Sequence, residues 1–184
     1  MGCQTEKNKP DPISTIDSTS NNEQSSQHNH VLDTSRIAII PLDNVEWLND
    51  NYSPTNLSIA ELSQLDTLLS LACEDYNLNL KKGHEELMEF YREDAEFMGE
   101  EFTERAFSEE GLIRELSNYR RQYVPYYNEL GEKTVHVFCH CLAYPLNDWK
   151  LEVAGVNDGG NCHFDAVINL TKRTCKSIMV NGNA

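Results

Sequence analysis

The sequence contains no run of about 18 apolar residues, so no segment has the length and character of a membrane-spanning helix. Basic side chains are scarce: 15 Lys and Arg stand against 30 Asp and Glu, a net charge of −15 with a pI near 4.7. An acidic surface of this kind repels phosphate backbones and anionic headgroups, which argues against a nucleic-acid partner. A glycine-rich phosphate loop, a Ser-His-Asp signature and the HExxH zinc motif are all missing. So are internal repeats and a βαβ alternation. What remains is a chain of 184 residues with 39% hydrophobic content, 8 Tyr, 6 Phe and 2 Trp. That supports one ordinary core without metal or disulfide staples.

Residues 1–33 read as a disordered polar tether. Runs such as Ser18-Thr19-Ser20-Asn21-Asn22 and Gln24-Ser25-Ser26-Gln27 carry too little apolar surface to offset the entropy of ordering. A flexible coil of 30 residues reaches about 30 Å, enough to hold a folded domain off a surface. The chain starts Met1-Gly2-Cys3, which admits three readings. Gly2-Cys3 can close a bacterial lipobox, making Cys3 the acylated residue. It can mark myristoylation with palmitoylation, although Glu6 stands where that pattern wants Ser or Thr. Or it is an ordinary start that happens to contain Cys. Lipidation at Cys3 is the expectation carried forward.

Residues 34–184 form the expected single domain. Arg36-Ile37-Ala38-Ile39-Ile40, stopped by Pro41, is a short strand-like run. Ser58 with Glu61 three residues on is a capping box, and Leu57 with Leu62 suits a hydrophobic staple. Leu62, Leu65, Leu69, Ala72 and Tyr76 follow at helical spacing. Gly83 after Lys81-Lys82 predicts a break, and a second helix is expected from His84. Its stripe of Met88, Tyr91, Ala95, Met98, Phe102 and Ala106 is assigned to core packing. Ser108-Glu109-Glu110 restarts the helical pattern. From Glu61 to Glu115, sixteen Asp or Glu face five Lys or Arg, a local net of −11; from Arg120 onward, six acids meet seven bases. The acidity therefore belongs to the solvated helix faces.

After Tyr119 the pattern becomes β. Arg121–Tyr127 and Thr134–Cys141 flank a turn at Asn128–Lys133 that contains Gly131. Pro125 lacks a donor, which places the first of these strands at an edge or gives it a bulge. Trp149–Val153 is a further short strand candidate. Asn157-Asp158-Gly159-Gly160 is a turn, and Cys162–Ile168 with Thr174–Val180 make a second hairpin. The fold class is thus α+β: N-terminal helices over about 57–119 packed on a four-stranded, or slightly larger, antiparallel sheet over about 120–184.

The one cluster with chemical potential is Cys139-His140-Cys141 with Cys162-His163. Alternation along a strand puts Cys139 and Cys141 on the face of Val135 and Val137 and turns His140 the other way. Thiolates from two strands could hold zinc, but a Cys-x-Cys pair within a strand fits zinc spacing poorly. Small buried core thiols fit better, with a disulfide through Cys162 or Cys175 as the other reading. A nucleophile built from Cys139 or Cys162 with His136 or His163 lacks an orienting third group. Cys73 completes five body cysteines, an odd number, so at least one thiol is left over within the chain. The paired acids Glu85-Glu86, Glu100-Glu101 and Glu109-Glu110 do not converge on a point. Neither a metal, a cofactor nor a catalytic residue is assigned.

The segments Arg121-Gln122-Tyr123-Val124, Gly131-Glu132-Lys133-Thr134-Val135, Asp158-Gly159-Gly160-Asn161-Cys162-His163-Phe164 and Val180-Asn181-Gly182-Asn183-Ala184 carry a resemblance. Together, over about residues 119–184, they resemble small bacterial lipoproteins and secreted proteins of unknown function. The likeness implies a helix-plus-sheet outline, cystatin-like or NTF2-like, and it transfers no catalytic residue. It departs at His163, where an aromatic is usual. The expected role is a non-enzymatic binding module for a protein partner, lipid-anchored in the bacterial envelope, with a cytoplasmic location as the alternative. Competing roles are an inhibitor or immunity protein against a basic toxin or hydrolase, and a thiol or zinc protein using Cys139, Cys141 and Cys162.

Overall fold

In the computed structural model, residues 33–48, 51–143, 145–156 and 158–182 are described. Cys3 and the polar tail, to which the lipid expectation belongs, lie outside them. The described body is α+β, with one long α-helix and a mixed sheet of six strands. The strands are β1 (Ile37–Ile39), β2 (Ser53–Pro54), β3 (Tyr119–Tyr127), β4 (Lys133–Cys141), β5 (His163–Asn169) and β6 (Thr174–Val180). They lie in the order β1-β3-β4-β5-β6, with β2 also pairing β3.

The expected four-strand antiparallel core is β3 to β6, and its two hairpins fold where their turns predict. Asn128 Oδ1 accepts from the backbone N–H groups of Leu130 and Glu132, both at 3.0 Å, and Gly131 takes a φ of +70°. The all-antiparallel expectation is corrected by β1, which pairs parallel to β3 from Ile37↔Arg121 to Ile39↔Tyr123. Parallel neighbours need a crossover between the ends of the sheet, and the helix lies within that connection. Pro125 falls between the stretches of β3 covered by β1 and β2. Tyr123 turns its carbonyl to Ile40 N on that side (2.8 Å), so by alternation the missing donor of Pro125 faces the same seam.

The expectation of several helices is also corrected. A single helix, α1 (Ile59–Met98), runs 40 residues. Ser58 Oγ accepts from Glu61 N (3.2 Å) while Glu61 Oε2 accepts from Ser58 N (2.8 Å), which completes the capping box. Gly83 does not break the helix. One interior glycine costs about 1 kcal/mol relative to Ala, which the cooperative ladder on either side outweighs. The helix stops at Gly99, which takes a φ of +69°, while Glu100 N closes the last turn on Ala95 O at 2.8 Å. Residues 100–118 form two short 3-10 turns, Glu109–Gly111 and Leu116–Asn118, in place of the helix expected after Ser108. The reason is local: Asn77 bonds both the N–H and the C=O of Ile113, each at 2.8 Å, taking the groups a helix would need.

The first half of α1 packs on one face of the sheet. Leu62, Leu65, Leu69 and Cys73 meet Tyr119, Tyr123, Val135, Val137, Phe164, Ala166 and Ile168 in one buried cluster. Each large apolar side chain buried there contributes about 2 kcal/mol. Two ion pairs fix the register of helix on sheet: Arg121 of β3 with Asp66, and Lys133 of β4 with Glu61 at 2.6 Å. The opposite face is covered by loops, with Ala38, Ile40, Leu42, Val45, Val124 and Tyr126 forming a second, smaller core.

Candidate functional site

The cysteines sit on the helix-facing side, as alternation places them. Cys139 is fully buried in the main core beside Cys73 of α1. Cys141 is disulfide-bonded to Cys162, with a Cα–Cα separation of 4.8 Å, tying the end of β4 to the turn that opens β5. Burial pushes the Cys73 thiol up to about 12 and the Cys139 thiol well above its usual range; Cys175 is raised for the same reason. A nucleophile or a zinc ligand must be a thiolate, and these environments oppose that form. Among the described residues, no group of three or more His, Cys, Asp or Glu side chains is placed to hold a metal ion.

The disulfide closes a loop of 21 residues, which in the chain-entropy account stabilises the fold by about 3 kcal/mol. Cys141→Ser with Cys162→Ser is therefore expected to lower the unfolding free energy by about that amount in urea titrations. A loss under about 0.5 kcal/mol would mean that the bond constrains the unfolded chain very little.

The other face of the sheet carries a polar chain that crosses three strands. Gln122 of β3 donates through Nε2 to the carbonyls of Trp149 and Glu152 (2.6 Å to the latter), which fixes its amide. Its Oε1 accepts from Ala154 N at 3.0 Å and faces His140 Nε2 at 3.2 Å. An amide oxygen only accepts, so His140 must carry its proton on Nε2, leaving Nδ1 as an acceptor. His163, directly opposite on β5, approaches that atom with its own Nδ1 at 2.9 Å and must be the donor. His140 is then neutral. Burial, followed by His163 and Arg120, lowers His140 to about 4, and burial also lowers His163. Gly159, at a φ of +109°, lies so close that a Cβ there would meet the His163 ring at 2.6 Å.

This chain also explains why Trp149–Val153 is not the strand its sequence predicts: carbonyls of that segment bond a side chain instead of a neighbouring strand. Nearby, His136 Nε2 lies 3.1 Å from Asp165 Oδ2, and Trp47 sets its ring edge-on to His136 and Phe138. A cavity of about 250 Å³ opens between Trp47, Phe138, His140, His163, Asp165 and Asn181. Most of the polar groups that could greet a ligand there bond one another, which is the pattern of a network that specifies a fold.

The feature that internal contacts do not account for is the far half of α1. At 1.5 Å per residue the helix is about 60 Å long, whereas nine-residue strands span about 30 Å. Half of it must overhang the sheet. Apolar side chains nevertheless recur on one face beyond it, in Leu80, Leu87, Phe90, Tyr91, Phe97 and Met98, with Gly83 and Asp94 interrupting the row. Beyond the sheet, Leu87, Phe90, Tyr91, Phe97 and Met98 are between 46% and 87% exposed. The expected core stripe is thereby corrected: Met88 is buried, Tyr91 and Met98 are open to solvent, and Phe102 and Ala106 lie past the end of the helix.

Residues 100–107 run back beside this half. Arg92 sits over the Phe102 ring at 5.5 Å, and the His84 ring meets Phe107 at 5.4 Å and Arg105 O at 3.0 Å. Between this segment and α1 lies a groove of about 340 Å³ lined by Met88, Tyr91, Phe102, Thr103 and Arg105. Sequence spacing alone gives the apolar stripe; where the sheet ends, and hence which half stays open, is not in that signal. Compared with known proteins, the chain matches no family, no curated relative and no solved structure.

Proposed function

We propose that the protein is a non-enzymatic binding module of the bacterial envelope, anchored by lipid on Cys3, that docks a protein partner on the distal face of α1. The observation that carries this reading is the apolar stripe that outruns its sheet. Five large apolar side chains on one helix face, interrupted by Asp94, exceed the scattered exposure of an ordinary surface. The Cys141–Cys162 disulfide favours an oxidising compartment, in keeping with an envelope location. The lipoprotein resemblance of the last third favours the anchor, and one long helix packed on a sheet suits a cystatin-like or NTF2-like outline. An inhibitor or immunity role against a basic enzyme uses the same face, and the acidity of α1 favours it as the second reading. It is distinguished by a target that loses activity on binding.

The test is photo-cross-linking of the full chain in its native cell, from a photoreactive residue at position 90. An adduct of defined mass is expected from position 90 and not from exposed position 176 on β6. The N-terminal peptide of the same preparation is expected to carry an acyl glyceride on Cys3. Equal, diffuse labelling from both positions would defeat the docking reading, and an unmodified Cys3 would defeat the anchor.

A further inference from the structure

We infer that the occupant of the distal face of α1 is a cationic amphipathic helix, one apolar stripe flanked by Lys and Arg; this rests on the reading of that face as a docking surface. Shape is the first argument. Leu87, Phe90, Tyr91, Phe97 and Met98 stand at i, i+3, i+4, i+10 and i+11, a ridge about 16 Å long. At i+7 the same face carries Asp94, so a helix laid alongside meets apolar side chains at both ends of the ridge and needs a cation between them.

Charge supplies the second argument and decides among occupants. Between Glu85 and Met98, six acids stand against Arg92 alone, and Glu100, Glu101 and Glu104 continue the excess. A second copy of this chain would set one acidic rim against another. An anionic bilayer surface is repelled in the same way. The chain's own first 32 residues hold four acids, two Lys and no apolar stripe, so they match neither the charge nor the shape. A basic partner gains where these three lose: its cations meet the carboxylates that flank and interrupt the apolar side chains.

The full chain is titrated with labelled peptides of about 18 residues, enough for five helical turns. The first has Leu on one face and Lys on the other. In the second, Gln replaces Lys; the third keeps the Leu/Lys composition in scrambled order. The Leu/Lys helix is expected to bind at least about ten-fold more tightly than either control, about 1.4 kcal/mol. Phe90→Ser with Phe97→Ser, both exposed and so without effect on thermal unfolding, is expected to weaken it by about ten-fold or more. Binding should also weaken as salt rises above about 0.1 M. If the scrambled peptide binds equally, or the double variant changes nothing, the attraction is nonspecific and the inference is overturned. Should the Gln helix bind as tightly and depend on Phe90 and Phe97, the face docks a helix but the cationic requirement fails. No binding by either amphipathic peptide defeats both the inference and the docking face beneath it.

Discussion

Replacing Arg121 with Met is expected to destabilise the protein by about 3–5 kcal/mol, the largest single effect the structure implies. The guanidinium reaches from β3 to Asp66 of α1, and the two side chains are only 4% and 15% exposed. Removing the cation takes its charged partner from the largely buried Asp66 carboxylate, and that loss sets the cost. The corollary separates this account from loss of packing. A double variant, Arg121→Met with Asp66→Leu, takes away both charges and should recover most of the lost stability. Urea unfolding of the wild type, both single variants and the double variant completes the cycle. Strict additivity of the two single effects would show that the residues do not act as a pair.

Acid is expected to weaken the fold well before the carboxylates titrate. An exposed histidine in the unfolded chain has a pKa near 6.5, while His140 in the folded protein is lowered to about 4. Between those values the unfolded chain binds more protons than the native state, so stability falls as pH drops through that window and is complete above it. The gap corresponds to on the order of 3 kcal/mol from His140, and His163, lowered in the same direction, adds to it. Burial of the rings is the main cause, and the Nδ1–Nδ1 contact adds to it. A proton on His140 Nδ1 turns the only acceptor in that contact into a second donor. Glu61, held to about 2 chiefly by Lys133, and Glu132, held to about 2 chiefly by Lys172, lose their contributions only below about pH 4.5. Unfolding free energies measured from about pH 7.5 down to about pH 4.5 should therefore slope in the wild type and slope less steeply in His140→Gln, which keeps the His163 contribution. Equal slopes in the two proteins would place the acid sensitivity elsewhere.

What the sequence discloses about this protein divides by the range of the interactions involved. Ser58 with Glu61, and Asn128 with Gly131, satisfy backbone groups within a few residues, so their chemistry is written in consecutive letters. Strand alternation is equally local, and it correctly set Cys139 and Cys141 on one face with His140 on the other. Partnerships across the fold are different. Three residues of β1 hold nothing that selects a parallel neighbour eighty-odd positions away. Gln122, His140 and His163 each look like an ordinary polar strand residue until pairing stacks them. Five body cysteines allow many pairings, and only the meeting of β4 with the turn before β5 selects Cys141 with Cys162. Helix length is equally hidden at Gly83, whose local cost predicts a break that the cooperativity of the ladder around it overrides.

The overhang of α1 also divides the helix in time. Its first half opens only when the core opens, so the amide hydrogens of Leu65 and Leu69 should exchange with solvent no faster than global unfolding allows. Past Gly83 the ladder is held by the helix itself and by the thin strap of residues 100–107, and partial opening there leaves the sheet intact. One continuous element thus joins a slowly exchanging base to a rapidly exchanging arm. Slower exchange confined to the arm would be the direct signature of an occupied ridge.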